Sequence, residues 1–371
     1  MADRIELIQQ ANELRNWAES SGVFSQGRSV SIPAQRDQLD ANLMFAASAV
    51  DTFISKPITA IGYAESGDKG QRIFIYTRRK LSIAEKKVLS ENNINFPVEF
   101  RVALPFSVAI PSTAARFPPM FLDDKLMCGS SISVGNAREA GTLGALLQDT
   151  DGKMFGLSCN HVVGGCSNAR VNLPIVAPAI LDVAANAPNL RTIGLHKWTL
   201  PFVQGDPSAV PNYHENHDSA IFEILDNTQV SSFQGGEYDT PSEVAEPRED
   251  SRVEKVGRTT RHTTGFVESR LVGPMRIDYS LTIYHSAEEN ISFKGSVYFE
   301  PVYMIRAYQG LFSSEGDSGA IVVQREEGED PSAAIGMVIG GSNSSEATYM
   351  LPLKPVLDKL GLNLVNNHNI S

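Results

Sequence analysis

The chain has 371 residues, 42% of them hydrophobic, and a formal net charge of -11. Such acidity excludes the broad basic surface on which nucleic-acid affinity rests. No stretch approaches the ~18 uninterrupted apolar residues that a membrane-spanning helix needs.

Residues 3–20 place apolar groups at Leu7, Ala11, Leu14 and Ala18, with Ile8 and Trp17 alongside, which is helical spacing. Asp3 and Glu6 are placed as a capping pair. A polar stretch at 21–36 reads as a linker to a second helical segment at about 38–54. Ile58–Ala64 and Arg72–Thr77 are predicted strands around the turn Ser66-Gly67-Asp68-Lys69-Gly70. Ser82-Ile83-Ala84-Glu85 is a capping box opening a short helix to about Glu91, and 96–104 is a third strand. The chain therefore divides into a helical segment at 1–56, a small α+β (ββαβ) module at 57–115, and the remainder at 116–371. Four prolines in 105–120 (Pro105, Pro111, Pro118 and Pro119) mark the last boundary. The module holds no nucleophile-base pair, phosphate loop or metal-ligand cluster, so it is expected to dock or pack, and to carry any regulatory or targeting partner.

Beyond the prolines, short β-like runs alternate with glycine turns: 141–147, Met154–Ser158, 219–224, 253–256, 281–283, 297–307, 320–323 and 335–339. A helix follows at 352–360. This pattern predicts a mainly β region of two small barrels or a sandwich, with an acidic linker at 237–250 between halves at about 123–236 and 250–360.

Three features carry chemistry. In Gly316-Asp317-Ser318-Gly319, glycines flank the Asp-Ser pair, so a tight turn can aim backbone N–H groups at a carbonyl that becomes an oxyanion. A serine hydroxyl also needs a base to take its proton during attack. On its own the motif is also an ordinary turn. His161 ends the apolar run 156–163 just before Gly164-Gly165, at the kind of rim where a base can change charge. Asp218 stands immediately before the alternating run 219–224. A carboxylate partly buried there needs a partner, and an imidazolium is a suitable one. The order is His161, Asp218, Ser318, with spacings of 57 and 100 residues.

This order and these motifs resemble the chymotrypsin-like (trypsin-like) serine peptidases; the worked Ser-His-Asp template is drawn from that family. The resemblance covers about 123–360. It implies two antiparallel six-stranded β-barrels with the site between them, and His161, Asp218 and Ser318 as base, orienting acid and nucleophile. It also implies an oxyanion hole at Gly316, Asp317 and Ser318, and a cleft strand 336–341 along which substrate backbone pairs. Lys255-Val256-Gly257-Arg258-Thr259-Thr260 and Tyr349-Met350-Leu351-Pro352-Leu353 resemble non-secreted bacterial and plant members. The implied substrate-binding residues are Phe312, Ser313, Ile339, Gly340, Gly341 and Ala347. Phe312 stands where trypsin-like specificity needs an acid, so an apolar or small residue is expected before the scissile bond.

The implied activity is an intracellular serine endopeptidase acting on protein substrates, by family analogy in a regulated stress or immune pathway, with no cofactor. The alternative is a catalytically silent peptide-binding scaffold on the same fold. Metal hydrolysis is disfavoured, because His214-Glu215-Asn216-His217 lacks the spacing of a zinc-protease motif. The beginning of the chain, Met1-Ala2-Asp3-Arg4-Ile5-Glu6, lacks a secretory pattern. Three cysteines, Cys128, Cys159 and Cys166, do not make a disulfide framework. Both points predict a cytoplasmic setting. Val162 after His161 removes the family's usual disulfide there. No activation site is evident that would free a new N-terminus to pair with Asp317, so activation is expected to be built in or supplied by another molecule.

Overall fold

The structure is a computed structural model that describes residues 2–25, 44–45, 47–65, 70–108, 120–183, 190–226, 228–286, 288–326 and 328–370. The turn at 66–69, most of 21–36 and of 105–120, the start of the second helical segment and the side chain of Asp3 lie outside the described residues.

The N-terminal periodicity becomes α1 (Ala2–Ser20), which buries Leu7, Ala11, Leu14 and Ala18 completely. With α2 (Ala47–Ser55) it brings together the rings of Trp17, Phe45 and Phe53, their centroids 5.3–6.1 Å apart. Under them lie β1 (Ile58–Ala64) and β2 (Arg72–Thr77), an antiparallel pair. They are followed by α3 (Ile83–Leu89) and by β3 (Val98–Val102), which runs parallel to β2. The capping box forms at α3: Ser82 Oγ accepts from Glu85 N at 3.2 Å, and Glu85 accepts from Ser82 N at 2.6 Å. Helices and strands bury one shared apolar core that also takes in Val272.

The first barrel is a curled sheet. Its strands are β4 (Ser131–Val134), β5 (Gly141–Thr142), β6 (Ala145–Gln148), β7 (Met154–Ser158), β8 (Pro174–Ala177), β9 (Arg191–Thr199) and β10 (Ala220–Ile224). β5 and β6 are two halves of one run bent at Leu143-Gly144. β4 pairs with the first half and β7 with the second, and β10, β9 and β8 carry the sheet back to β4.

The second barrel is closed. It uses β11 (Arg252–Gly257) and β12 (Arg261–Leu271). After the hairpin β13 (Met275–Tyr284) and β14 (Asn290–Phe299), it uses β15 (Tyr303–Ala307), β16 (Ile321–Gln324), β17 (Ala333–Ser342) and β18 (Ala347–Pro352). The order β11-β16-β17-β18-β15-β12 returns to β11, with every pair antiparallel. α4 (Lys354–Leu360) follows and ends at Gly361, whose φ of 66° suits glycine. This is the mainly β, two-barrel architecture that the resemblance implied.

Two features depart from the spacing. The run 297–307 breaks at Glu300-Pro301 into β14 and β15. The β13–β14 hairpin is also far longer than the predicted 281–283, pairing from Met275↔Phe299 to Tyr284↔Asn290. The hairpin stands outside the closed barrel and leans over the first one: a Cβ on Gly165 would lie 1.7 Å from Ile283 Cδ1. The N-terminal sheet is not separate either. β1 pairs with β12 through Gly62↔Leu271 and Tyr63↔Arg270, so β1–β3 extend the sheet of the second barrel. Gly62 permits this approach, because a Cβ there would sit 2.6 Å from Ser269 Oγ.

Candidate active site

β7 and β10 are antiparallel neighbours with Ser158 opposite Ala220. His161, in the single helical turn Asn160–Gly164 after β7, is thereby set beside Asp218, two residues before β10. His161 Nδ1 and Asp218 Oδ2 are 2.6 Å apart, and His161 N donates to Asp218 Oδ1 at 3.0 Å. Asp218 is fully buried and His161 nearly so. With Nδ1 held by Asp218, Nε2 is the ring nitrogen left outside this contact.

A third group completes this pair. Tyr279 Oη, from β13, donates to Asp218 Oδ2 at 3.0 Å. Burial, together with the charge of Asp218, pushes the Tyr279 hydroxyl well above its ordinary pKa, so it remains a donor. Sequence reasoning missed Tyr279. The signal was present in the alternation Met275, Ile277, Tyr279, Leu281, Ile283, all buried on one face of β13.

Ser318 lies in a loop pinned across both barrels. Thr142 N donates to Ser318 O at 2.9 Å, Thr142 Oγ1 donates to Gly316 O at 3.0 Å, and Gly319 N donates to Val338 O at 2.8 Å. Ser318 Oγ donates to Ile339 O at 3.3 Å and makes no hydrogen bond to His161. Hydrogen bonds between candidate catalytic groups are often long or unformed in unliganded sites. The N–H groups of Gly316 and Ser318 have no acceptor among the described residues. Gly316 has a φ of 93°, and a Cβ there would fall 2.3 Å from Arg258 Nη1, so glycine is required on both counts.

Asp317 departs from the expectation. Its N–H donates to Ser314 O at 3.0 Å and is not available as an oxyanion donor. Its contribution is the carboxylate, fully buried, which accepts from Thr259 N (2.7 Å), Thr260 N (3.2 Å), Thr260 Oγ1 (2.7 Å) and Ser314 N (2.9 Å). The Lys255 ammonium, also fully buried, faces it at 3.5 Å. Burial lowers the Lys255 pKa, and the charge of Asp317 opposes that shift. A cation from within the chain thus pairs with Asp317. Beside this pair, Arg258 and Asp182 form a buried ion pair between the second and first barrels.

The predicted pocket residues divide. Ser313 Oγ and Thr348 Oγ1 are 2.7 Å apart and buried. Gly341 lies against them: a Cβ there would be 2.9 Å from Ser313 Oγ and 2.7 Å from Ala347 O. Ile339 meets Ser318 through its carbonyl, with Gly340 next in β17. Phe312 is 1% exposed and belongs to the core of the closed barrel, close enough that a Cβ on Gly265 would lie 2.9 Å from its ring. Its ring therefore packs inside the barrel and does not line a floor, because an apolar ring here gains more from the core than from an open cleft.

Three further buried groups lie near His161 and Asp218. Glu139 is 3% exposed with no hydrogen-bond partner among the described residues. Burial raises its pKa to about 7, against the opposing charge of His161. Ligand atoms of Cys159, His161 and Asp218 lie within 4.8 Å of one another. His161 and Asp218 already bind each other, Cys159 Sγ donates to Val338 O at 3.3 Å, and burial holds its thiol well above the ordinary range. This chemistry suits a packed thiol, not a thiolate ligand. His217 is buried, with a pKa lowered to about 4 by burial and by the charge of Lys359.

No protein-family model matches the chain. Over 243 residues it is 26% identical to Protein NARROW LEAF 1 of rice (Oryza sativa subsp. japonica), covering 60% of this chain and 38% of the rice protein. The chain thus matches well under half the length of that relative. Among solved structures it is similar to Thermobifida fusca Protease A, at 16% identity and a TM-score of 0.39 over 65% of this chain and 98% of that one. It is also similar to the Nocardiopsis protease NAPase, at 17% identity and a TM-score of 0.39 over 64% and 97%.

Proposed function

We propose that the chain is a serine endopeptidase that cleaves protein substrates through an acyl-enzyme on Ser318. The observation that carries this reading is the bonded array Tyr279–Asp218–His161, set beside a serine loop with two unused N–H groups. The Ser318 hydroxyl turns from Ile339 O to His161 Nε2. As its oxygen bonds to the substrate carbonyl carbon, its proton passes to Nε2, and the C=O electron pair moves onto the oxygen facing the N–H groups of Gly316 and Ser318. The imidazolium, stabilised by Asp218, then gives that proton to the leaving amine as the C–N bond breaks. Water repeats the sequence and releases the acid.

The Lys255–Asp317 pair supports an oxyanion loop that is formed without proteolytic activation. The Ser313–Thr348 hydroxyl pair supports a small or polar residue before the scissile bond, which keeps the small half of the expected apolar or small preference and replaces the apolar half. Three buried, unpaired cysteines support a reducing compartment.

The test is covalent labelling of the intact protein by a fluorophosphonate probe. Labelling at Ser318, lost in Ser318→Ala, is the expected result. A folded protein that never labels supports the scaffold reading instead, for which the Ser318–Ile339 hydrogen bond is the favouring observation.

A further inference from the structure

Between the N-terminal sheet and the second barrel runs a groove of about 700 Å³, lined by Arg78, Arg79, Lys80, Arg101, Arg306 and the turn at 344–346. It concentrates cations in a chain whose net charge is -11. Its acidic lining residues are Glu268 and Glu346. Glu268 is buried and already satisfied, accepting from Arg101 Nε at 3.2 Å, Arg306 Nε at 3.1 Å and Tyr76 Oη at 2.8 Å. Arg306 also donates to Val102 O at 2.8 Å and to Ser345 O, which ties β3 to the turn and makes the floor rigid. Arg101 is shared with Glu99. Arg78, Arg79 and Lys80 remain: three consecutive exposed cations with no ion-pair partner among the described residues.

The groove begins where β17 ends. β16 pairs with β17 only as far as Met337, so Ile339–Gly341, next to Ser318, presents an edge to which a peptide strand can add. The turn at 344–346 closes β17 onto β18. A peptide that leaves this edge past Gly341 meets the turn at 344–346, which lines the groove.

We propose that this groove is a subsite for an acidic segment of the polypeptide substrate, beyond the residues that pair with β17. Calling the segment part of a substrate rests on the peptidase reading above; the binding itself stands without cleavage. Exposed charges attract a complementary segment in a salt-screened way, so both affinity and discrimination are expected to fall with ionic strength.

Full-length Ser318→Ala protein is titrated, by fluorescence anisotropy, with a labelled peptide carrying four consecutive glutamates and with its glutamine counterpart. The glutamate peptide is expected to bind at least tenfold tighter. The difference should disappear in Arg78→Glu/Arg79→Glu/Lys80→Glu and shrink at high salt. If the triple reversal does not fold, Arg79→Ala/Lys80→Ala serves, with a several-fold loss expected. Equal binding of the two peptides, or a glutamate preference untouched by these substitutions, overturns the assignment. So does an oligonucleotide of equal charge that binds more tightly than the glutamate peptide. With wild-type protein, faster cleavage of the glutamate peptide supports the subsite. Binding without cleavage of either peptide counts against the peptidase reading and leaves an acidic-segment site in place.

Discussion

Replacing Lys255 by methionine removes the cation that faces Asp317 and keeps most of the buried volume. Removing one partner of a buried ion pair costs about 3–5 kcal/mol, because the other charge is left uncompensated. Asp317 retains four hydrogen bonds, from Thr259 N, Thr260 N, Thr260 Oγ1 and Ser314 N, so the lower end, about 3 kcal/mol, is expected. That energy appears in one of two places. If the loop stays native, global stability falls by about 3 kcal/mol in urea titrations. If the loop gives way locally, stability is largely preserved and fluorophosphonate labelling slows by ~100-fold as the Gly316 and Ser318 donors lose their alignment. Adding Asp317→Asn to Lys255→Met removes the stranded charge and should restore at least half of whichever loss is seen. If Lys255→Met stays within ~0.5 kcal/mol of wild type and labels at the wild-type rate, the hydrogen bonds alone hold the carboxylate and the internal-cation account fails.

Tyr279→Phe deletes a hydrogen bond to a buried carboxylate, worth about 1.5–3 kcal/mol; a labelling rate reduced tenfold or more is expected, with the fold retained by circular dichroism. Gly316→Ala forces a Cβ against Arg258 at a φ of 93° and should cut labelling by about 10²–10³, the usual cost of a lost oxyanion donor, while Gly310→Ala on the same barrel, with open space around it, tests for general loop strain. Glu139 has a folded pKa of about 7 against an ordinary 4.5, so its contribution to stability is fully present below pH 4.5 and is lost as pH rises through 7. His196 and His217, held near 4 by burial, act in the opposite sense, losing stability as pH falls below 6.5. The expectation is therefore stated as a difference: between pH 4.5 and 7, wild type should lose up to about 3 kcal/mol relative to Glu139→Gln in chemical denaturation. Parallel curves would remove Glu139 from the account.

What could be read before the structure, and what could not, follows from where each constraint resides. The placement of Ser318, His161 and Asp218 was legible because each proposed role demands a residue type in a local frame: a serine between glycines, a histidine at a run's end, an acid before an alternating strand. The capping box at Ser82 and Glu85 was legible for the same reason, since both partners lie within one turn. Lys255 was not. It reads as one charged residue in a strand, and only closure of β11 onto β16 carries it to Asp317, 62 residues later. Phe312 is the complementary case: its spacing from Ser318 can be counted along the chain, but the direction of its side chain, into the core, depends on the barrel around it. Tyr279 falls between these cases, because the alternation of β13 shows which face is buried without showing what it is buried against. The hairpin supplies that answer by lying across the first barrel instead of joining the second. His161 in one barrel, Ser318 in the other and the donor to Asp218 on a hairpin outside both are therefore held by a single packing arrangement. Loosening the hairpin at Gly165–Ile283 should then weaken catalysis through Tyr279 before it unfolds either barrel, so a Gly165→Ala protein is expected to lose labelling at denaturant concentrations where its intrinsic fluorescence is still native.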